Sequence, residues 1–197
     1  MDNKNKNNIL KGLKVDTVYD YDCLKNTIDQ ITDDNYDELH WFITNEDFIA
    51  YILYTSGTTG LPKGVVMPFH SVYNTFSQVI NMYNINSNDI VMNLAKWSFD
   101  LSIFDFFCSF FLGATMVCVS DAKNVQEVHR VMIENKVTIW NSTPQVAGMY
   151  IRYVDFLKKS SNDSLSLLLI SGDKFEKNIC DLWRKQYKKT KINSCER

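Results

Sequence analysis

From residue 48 onward, short runs of aliphatic and β-branched residues alternate with longer segments of helical period, and this alternation constrains the fold most strongly. The apolar runs are predicted strands, and the segments between and after them are predicted helices. The strands are 48–54, 91–94, 114–119, 137–140 and 165–170, and the helices are 70–83, 101–112, 125–135, 145–158 and 177–188. Apolar strands separated by helices predict an α/β fold, with a mostly parallel sheet flanked by helices.

The chain before this region has a different character. Residues 1–8 are a low-complexity Asn/Lys run, which predicts a disordered tip. Residues 9–45 are acidic and mixed, and we assign them only as an approach segment. Residues 46–197 therefore form the predicted α/β domain, with a hint of one further strand near residue 192.

Composition narrows the class of ligand. The 21 basic and 23 acidic residues nearly balance, so the chain lacks the positive surface that nucleic acid or an anionic membrane requires. No apolar stretch reaches the roughly 20 residues of a membrane-spanning helix. The five cysteines form no CxxC pair, which favours reduced thiols in the cytoplasm and indicates no metal site. We expect a cytoplasmic protein that binds a small molecule.

The segment 51–66, YILYTSGTTGLPKGVV, contains the end of the first predicted strand and continues into a stretch rich in glycine and threonine. Its glycines allow backbone N–H groups to approach an anion, its hydroxyls add donors, and its single lysine adds a positive charge. The segment therefore suits nucleotide phosphates, although an ordinary glycine-rich hairpin between residues 54 and 65 fits the composition equally well. The candidate phosphate-binding residues are Thr55, Ser56, Gly57, Thr58, Thr59, Gly60 and Lys63.

The whole string 51–66 resembles the phosphate-loop signature of the adenylate-forming (AMP-binding) enzymes, which include acyl-CoA synthetases, luciferases and nonribosomal peptide synthetase adenylation domains. The resemblance implies part of the N-terminal subdomain of the adenylate-forming fold, without its C-terminal subdomain. It also implies that the loop holds ATP phosphates, with Mg²⁺, while a substrate carboxylate attacks the α-phosphate to give an acyl-adenylate. Lys63 is then a catalytic residue, because its charge offsets the phosphate charge.

A second segment, KWSFDLSIFDFFCSFFLGATMVCVSD at 96–121, resembles the part of nonribosomal peptide synthetase adenylation domains that lines the amino-acid pocket. This resemblance places Asp100 against the α-ammonium group of the substrate and favours an amino acid over a simple carboxylic acid. Asp100 is also a preferred N-cap for the helix 101–112, and the two roles are compatible. By the same resemblance, the substrate pocket comprises Asp100, Leu101, Phe104, Asn141, Leu169 and Ser171, and the adenine side comprises Gly172 and Asp173.

These pocket residues resemble the pattern of cysteine-activating domains, in which the third position is usually tyrosine and here is Phe104. Other small polar or small aliphatic amino acids remain open. The family's ribose-binding aspartate and mobile C-terminal subdomain have no counterpart in the sequence, so we expect a fragment that is inactive alone. A carrier domain is the expected partner of a complete relative. An acyl-CoA synthetase-like enzyme and a non-catalytic nucleotide-binding module are the alternatives.

The helix 101–112 carries one more pattern that bears on packing. Large apolar residues recur along it at helical spacing, which predicts a stripe that faces the core. The stripe comprises Ile103, Phe106, Phe107, Phe110 and Phe111.

Overall fold

The computed structural model describes residues 48–55, 61–158 and 163–194, so the predicted disordered tip and approach segment lie outside the described part of the chain. The strands are β1 (Ile49–Thr55), β2 (Lys63–Pro68), β3 (Ile90–Asn93), β4 (Thr115–Cys118), β5 (Ile139–Ser142), β6 (Leu167–Ile170) and β7 (Lys191–Ser194). The helices are α1 (Phe69–Tyr83), α2 (Asp100–Leu112), α3 (Val125–Glu134), α4 (Pro144–Leu157) and α5 (Lys177–Gln186).

Five strands form one parallel sheet in the order β4-β3-β5-β6-β7. Along the chain, each step from one of these strands to the next passes through a helix, as a parallel connection requires. The predicted α/β fold is therefore confirmed, and β7 forms where the sequence hinted at a further strand.

The first predicted strand is the exception, because β1 does not belong to the parallel sheet. It pairs antiparallel with β2 in a separate two-stranded sheet. The connection of residues 56–62 is too short for the crossover that a parallel pair needs, so an antiparallel hairpin is the geometry available. The strand β2 was missed because Gly64 and Pro68 weaken its strand signal.

Both faces of the parallel sheet are covered, and neighbouring residues of a strand point to opposite faces. Val91, Ile139 and Leu167 lie in a buried cluster with Ile85 and Cys108. Their neighbours on the strands join a larger buried cluster with residues of α3, α4 and α5. These neighbours are Met92, Trp140 and Leu168. This division explains why the strands are continuous apolar runs rather than alternating ones.

The predicted core stripe of α2 is wrong for three of its five residues, because the helix buries its polar side, whereas Ile103 and Phe107 are half-buried. Its buried residues are Ser102, Asp105, Cys108 and Ser109. The rings of Phe106, Phe110 and Phe111 are exposed instead, at 40%, 58% and 36%. Asp105 receives hydrogen bonds from the sheet, and this contact turns the aromatic residues outward, where they stack on one another.

None of the helices in the described ranges combines the length and the apolar character that crossing a membrane requires.

Candidate functional site

A cavity of about 430 Å³ lies at the carboxyl end of the parallel sheet. Its walls come from the hairpin, from α1, from the first residues of α2 and from the ends of β5, β6 and β7. Open parallel sheets bind ligands at this edge, and the volume is typical of a small-molecule site.

All six predicted substrate-binding residues line this one cavity: Asp100, Leu101, Phe104, Asn141, Leu169 and Ser171. They come from α2, β5, β6 and the residue after β6, so the fold brings together positions that are distant in sequence. Their contact with a substrate remains a prediction. The sequence did not indicate the part of the wall made by the hairpin and α1. This part comprises Tyr51, Met67, Ser71, Val72, Thr75, Phe76 and Val79.

Asp100 is the first residue of α2 and not its N-cap, so the predicted capping role is wrong. The N-cap is Phe99, and no side chain caps this helix end. The hydroxyl of Ser102 donates to the Phe99 carbonyl at 2.7 Å. An acidic residue in the first turn is stabilised by the positive end of the helix dipole. Asp100 is thus an anion on the cavity wall that the helix itself favours.

Tyr51 on β1 lines the same cavity as Asp100. Burial, and secondarily the negative charge of Asp100, raise the pKa of the Tyr51 phenol above its ordinary value. The phenol therefore stays protonated at neutral pH and keeps its hydrogen for donation. The cavity wall therefore offers a carboxylate from α2 and a hydroxyl donor from β1.

The side chain of Asn141 is held on the cavity wall by hydrogen bonds to residues of α2. Its Nδ2 donates to Oδ1 of Asp105 at 2.9 Å and to the Leu101 carbonyl at 3.2 Å. Nδ2 of Asn93 donates to Oδ2 of Asp105 at 3.1 Å. Burial raises the pKa of Asp105 to about 7, although both amides act in the opposite direction. The only signal for this buried carboxyl in the sequence is an acidic residue inside an aromatic run.

The predicted phosphate-binding residues are described only at the two ends of their loop. Thr55 and Lys63 are register partners where the hairpin strands meet the loop, and Oγ1 of Thr55 lies 3.5 Å from the Lys63 carbonyl oxygen. Lys63 is exposed and makes no ion pair with any residue of the described ranges. The other predicted residues, Ser56, Gly57, Thr58, Thr59 and Gly60, lie outside the described part. The hairpin is thus observed, and phosphate binding by its loop stays a prediction.

The predicted adenine-side residues follow β6. Gly172 has φ +98°, a conformation that glycine adopts readily. Asp173 is exposed, and it accepts from the Lys174 backbone N–H at 2.7 Å and from Nε2 of Gln145 at 3.3 Å. It borders a separate cavity of about 180 Å³ and does not line the 430 Å³ cavity. Contact with adenine stays a prediction.

A further cavity of about 530 Å³ has Asn93, Lys96, Trp97 and Cys118 among its lining residues. Burial, followed by the charge of Asp105, raises the pKa of the Cys118 thiol, so this cysteine is a poor nucleophile. Among the described residues, no three His, Cys, Asp or Glu side chains lie close enough together to hold a metal ion.

The sequence as a whole matches a known family. Residues 2–195 match the family model for the AMP-binding enzyme, so the chain belongs to the AMP-binding enzyme family. The resemblance drawn from the loop 51–66 is therefore confirmed.

Among its relatives, the chain is 34% identical over 143 residues to pyochelin synthetase PchF of Pseudomonas aeruginosa, a match that covers 72% of this chain and 8% of that protein. It is 32% identical over 149 residues to bacitracin synthase 1 of Bacillus licheniformis, which covers 75% of this chain and 3% of that protein. The chain thus spans a small part of the length of the relatives it matches.

Solved structures of adenylating proteins have the same architecture. The nonribosomal peptide synthetase FmoA3, in an AMPPNP-bound form, superposes with a TM-score of 0.68 at 25% identity, over 77% of this chain and 16% of that chain. The Vibrio cholerae adenylation domain AlmE, in complex with glycyl-adenosine-5'-phosphate, gives a TM-score of 0.69 at 26% identity, over 77% of this chain and 28% of that chain. The described fold corresponds to the N-terminal part of adenylation-domain structures.

Proposed function

We propose that this chain supplies the ATP and amino-acid sites of an enzyme that activates an amino acid as its acyl-adenylate. The observation that carries the proposal is the 430 Å³ cavity, where Asp100 and Asn141 lie among apolar side chains at the carboxyl end of the sheet. Membership of the AMP-binding enzyme family supports the adenylation step.

Asp100 supports an amino acid over a simple carboxylic acid. No side-chain hydrogen bond or ion pair to its carboxylate occurs among the described residues, so the protein leaves this charge for a ligand. Asp100 is exposed, so an ammonium group of a ligand in the cavity could reach its carboxylate and form a charge-assisted hydrogen bond with it. In this proposal Asp100 binds the α-ammonium group and thereby orients the α-carboxylate toward ATP.

Aromatic rings form part of the cavity wall. The rings of Phe76 and Phe104 meet edge to face, with centroids 5.5 Å apart, and both line the cavity. Relatives of known structure were solved with small aminoacyl groups, glycyl in AlmE and α-methyl-L-seryl in FmoA3. We infer a small amino acid, with cysteine as the first candidate from the pocket pattern of Asp100, Leu101, Phe104, Asn141, Leu169 and Ser171.

ATP would bind at the loop that joins β1 to β2. The residue that suits this loop to phosphate is Lys63. Its exposed ammonium group has no ion-pair partner in the described ranges, and it lies at the end of the loop, paired with Thr55. In this proposal Lys63 attracts the phosphates and offsets their repulsion of the incoming carboxylate. Mg²⁺, when it accompanies the nucleotide, would supply further charge neutralisation on the phosphate oxygens.

The complete reaction needs more than these residues. The chain spans 3–8% of the two synthetases compared above, and we propose that turnover requires the remainder of an adenylation domain. The natural acceptor of the activated amino acid would be a carrier domain, and the cytoplasm, where ATP is abundant, is the proposed location.

The proposal is tested by titration calorimetry and by pyrophosphate exchange on the 197-residue chain. We expect ATP to bind in the presence of Mg²⁺, and the Lys63→Ala variant to bind at least tenfold more weakly, while the exposed control Lys123→Ala binds as the wild type does. We expect no exchange of labelled pyrophosphate by the chain alone. Equal ATP binding by wild type and Lys63→Ala would reject the phosphate site, and exchange at the rate of a whole adenylation domain would reject the need for the remainder.

A further inference from the structure

Asp105 is a buried carboxyl group that the proposed reaction does not use. It is completely shielded from solvent on the sheet side of α2, and the ion pairs of the described residues do not include it. Its two oxygens accept instead from the amides of Asn93 and Asn141. These asparagines are direct register partners on β3 and β5, so one carboxyl group ties two neighbouring strands to the helix.

The orientation of the Asn141 amide follows from its two neighbours. Its Nδ2 lies 2.9 Å from Oδ1 of Asp105 and 3.2 Å from the carbonyl oxygen of Leu101. A carbonyl oxygen can only accept a hydrogen bond, so the Asn141 atom that faces Leu101 must be the nitrogen. Both N–H groups of the amide are therefore committed to the protein.

The carbonyl oxygen of Asn141 is consequently the group left for a ligand. No hydrogen bond of the described residues ends on this oxygen, and these residues include no buried side-chain oxygen or nitrogen without a partner. The oxygen must then reach open space, and the open space beside Asn141 is the 430 Å³ cavity. Asn141 therefore presents its carbonyl oxygen to that cavity as an acceptor, while its NH₂ group is already bonded to Asp105 and Leu101.

Resting on the proposed function, we propose that Asp105 is a positioning residue that fixes the Asn141 carbonyl oxygen toward the cavity and so selects amino acids whose side chain carries a hydroxyl or thiol donor. With the α-ammonium group at Asp100, the Asn141 oxygen is available to the ligand side chain. A fixed acceptor discriminates against a ligand without a donor, because the acceptor then loses its water and gains no partner.

The arrangement is robust to the protonation of Asp105. As a carboxylate it accepts at both oxygens, and as a neutral acid it keeps a carbonyl oxygen that can accept from Asn141. In the Asp105→Asn variant, the new side chain would still offer a carbonyl oxygen to Asn141. Its NH₂ group could donate to the side-chain oxygen of Asn93 once the Asn93 amide turns over. That amide can turn because its described side-chain hydrogen bond ends at Asp105 alone. Asp105→Asn is therefore the conservative variant, and Asp105→Ala removes the positioning contact.

The first test is spectroscopic and needs no ligand. In NMR spectra of the ¹⁵N-labelled chain, both side-chain amide protons of Asn141 should exchange with solvent at least tenfold more slowly than those of Asn74, an exposed residue of α1 whose NH₂ makes no described hydrogen bond. The Asn141 signals should also shift with the ionisation of Asp105. Fast exchange at Asn141, equal to that at Asn74, would overturn the inference.

The second test compares two ligands that differ in the side-chain donor, L-serine and O-methyl-L-serine. We expect the wild type and Asp105→Asn to prefer L-serine by a similar ratio, and Asp105→Ala to lose roughly tenfold of that preference. A folded Asp105→Ala chain with the wild-type ratio would overturn the inference. If this variant does not fold, the exchange rate of the Asn141 side-chain amide protons in the wild type decides whether the inference holds. If the wild type binds neither serine, the proposed function fails, and the exchange measurement still decides how Asp105 orients Asn141.

Discussion

The two faces of α2 differ in a way that reverses the usual rule of burial. The face against the sheet carries Ser102, Asp105, Cys108 and Ser109, and all four are buried. The opposite face carries three phenylalanines that are at least 36% exposed. The helix is therefore oriented by the hydrogen bonds that Asp105 accepts from the sheet rather than by hydropathy, and it lines the candidate site with other residues, Asp100, Leu101, Ile103 and Phe104.

The polar face can be buried because its groups are satisfied. Ser109 donates to the carbonyl of Asp105 at 2.8 Å, and Asp105 itself accepts from two amides. Buried polar groups that have partners are tolerated, whereas the same groups without partners are strongly destabilising. The aromatic side chains need no hydrogen-bond partner, and their rings pack against one another and against neighbouring rings, as Phe106 does against Phe110 at 5.9 Å and against Trp97 at 6.1 Å.

The largest effect should come from removing the carboxyl group of the buried face. We expect Asp105→Ala to lower the free energy of unfolding by about 3 kcal/mol at pH 5, because it leaves a void and takes the acceptor away from two buried amides. Urea denaturation followed by circular dichroism measures this change, with Asp181→Ala on the exposed side of α5 as the control. A loss below about 1 kcal/mol, equal to an ordinary surface substitution, would contradict the role given to the polar face.

A second effect follows from the pKa of Asp105, which burial raises from 3.8 to about 7. Between these values the folded chain holds a proton that the unfolded chain has released, so stability must fall as the pH rises. We expect the wild type to lose about 2 kcal/mol of unfolding free energy from pH 5 to pH 7 through this group, and Asp105→Asn to lack that loss. Parallel pH profiles of the two chains would show that Asp105 is not protonated in the folded state.

The smallest effect should come from the aromatic face. Phe110 is 58% exposed, so Phe110→Ser removes little buried surface and should change the unfolding free energy by no more than about 1 kcal/mol. Comparison with Asp105→Ala in the same urea series then ranks the two faces directly. A loss of 3 kcal/mol or more at Phe110, as for a core phenylalanine, would mean that the two faces do not differ.

The sequence predicted the parallel sheet well because its signal is local. Each buried strand is an apolar run, and each connecting segment has helical period, so the predicted boundaries lie within two residues of those observed. Two features depend on tertiary contacts and were missed. The strand β2 owes its existence to pairing with β1, and the orientation of α2 depends on Asp105 meeting amides from β3 and β5.

The candidate site also has a part that could be predicted from the sequence and a part that could not. The resemblance to adenylation domains indicated the residues of α2, β5 and β6 that the fold gathers around one cavity. Periodicity alone would not have gathered them, because it carries no information about which strand ends are adjacent. The wall from α1 and the hairpin was missed, since residues such as Ser71 and Thr75 have no distinctive motif and acquire their position only when α1 packs beside the cavity.

The central claim is that this cavity holds an amino acid through Asp100, and the binding of L-alanine and propionate, which differ by the ammonium group, tests it most directly. Titration calorimetry should show that L-alanine binds to the wild type and equally to the control Asp181→Asn. L-alanine should bind at least tenfold more weakly to Asp100→Asn, and propionate should bind more weakly than L-alanine to the wild type. Propionate binding as tight as that of L-alanine, unaffected by Asp100→Asn, would contradict the account and favour a simple carboxylic acid as the substrate.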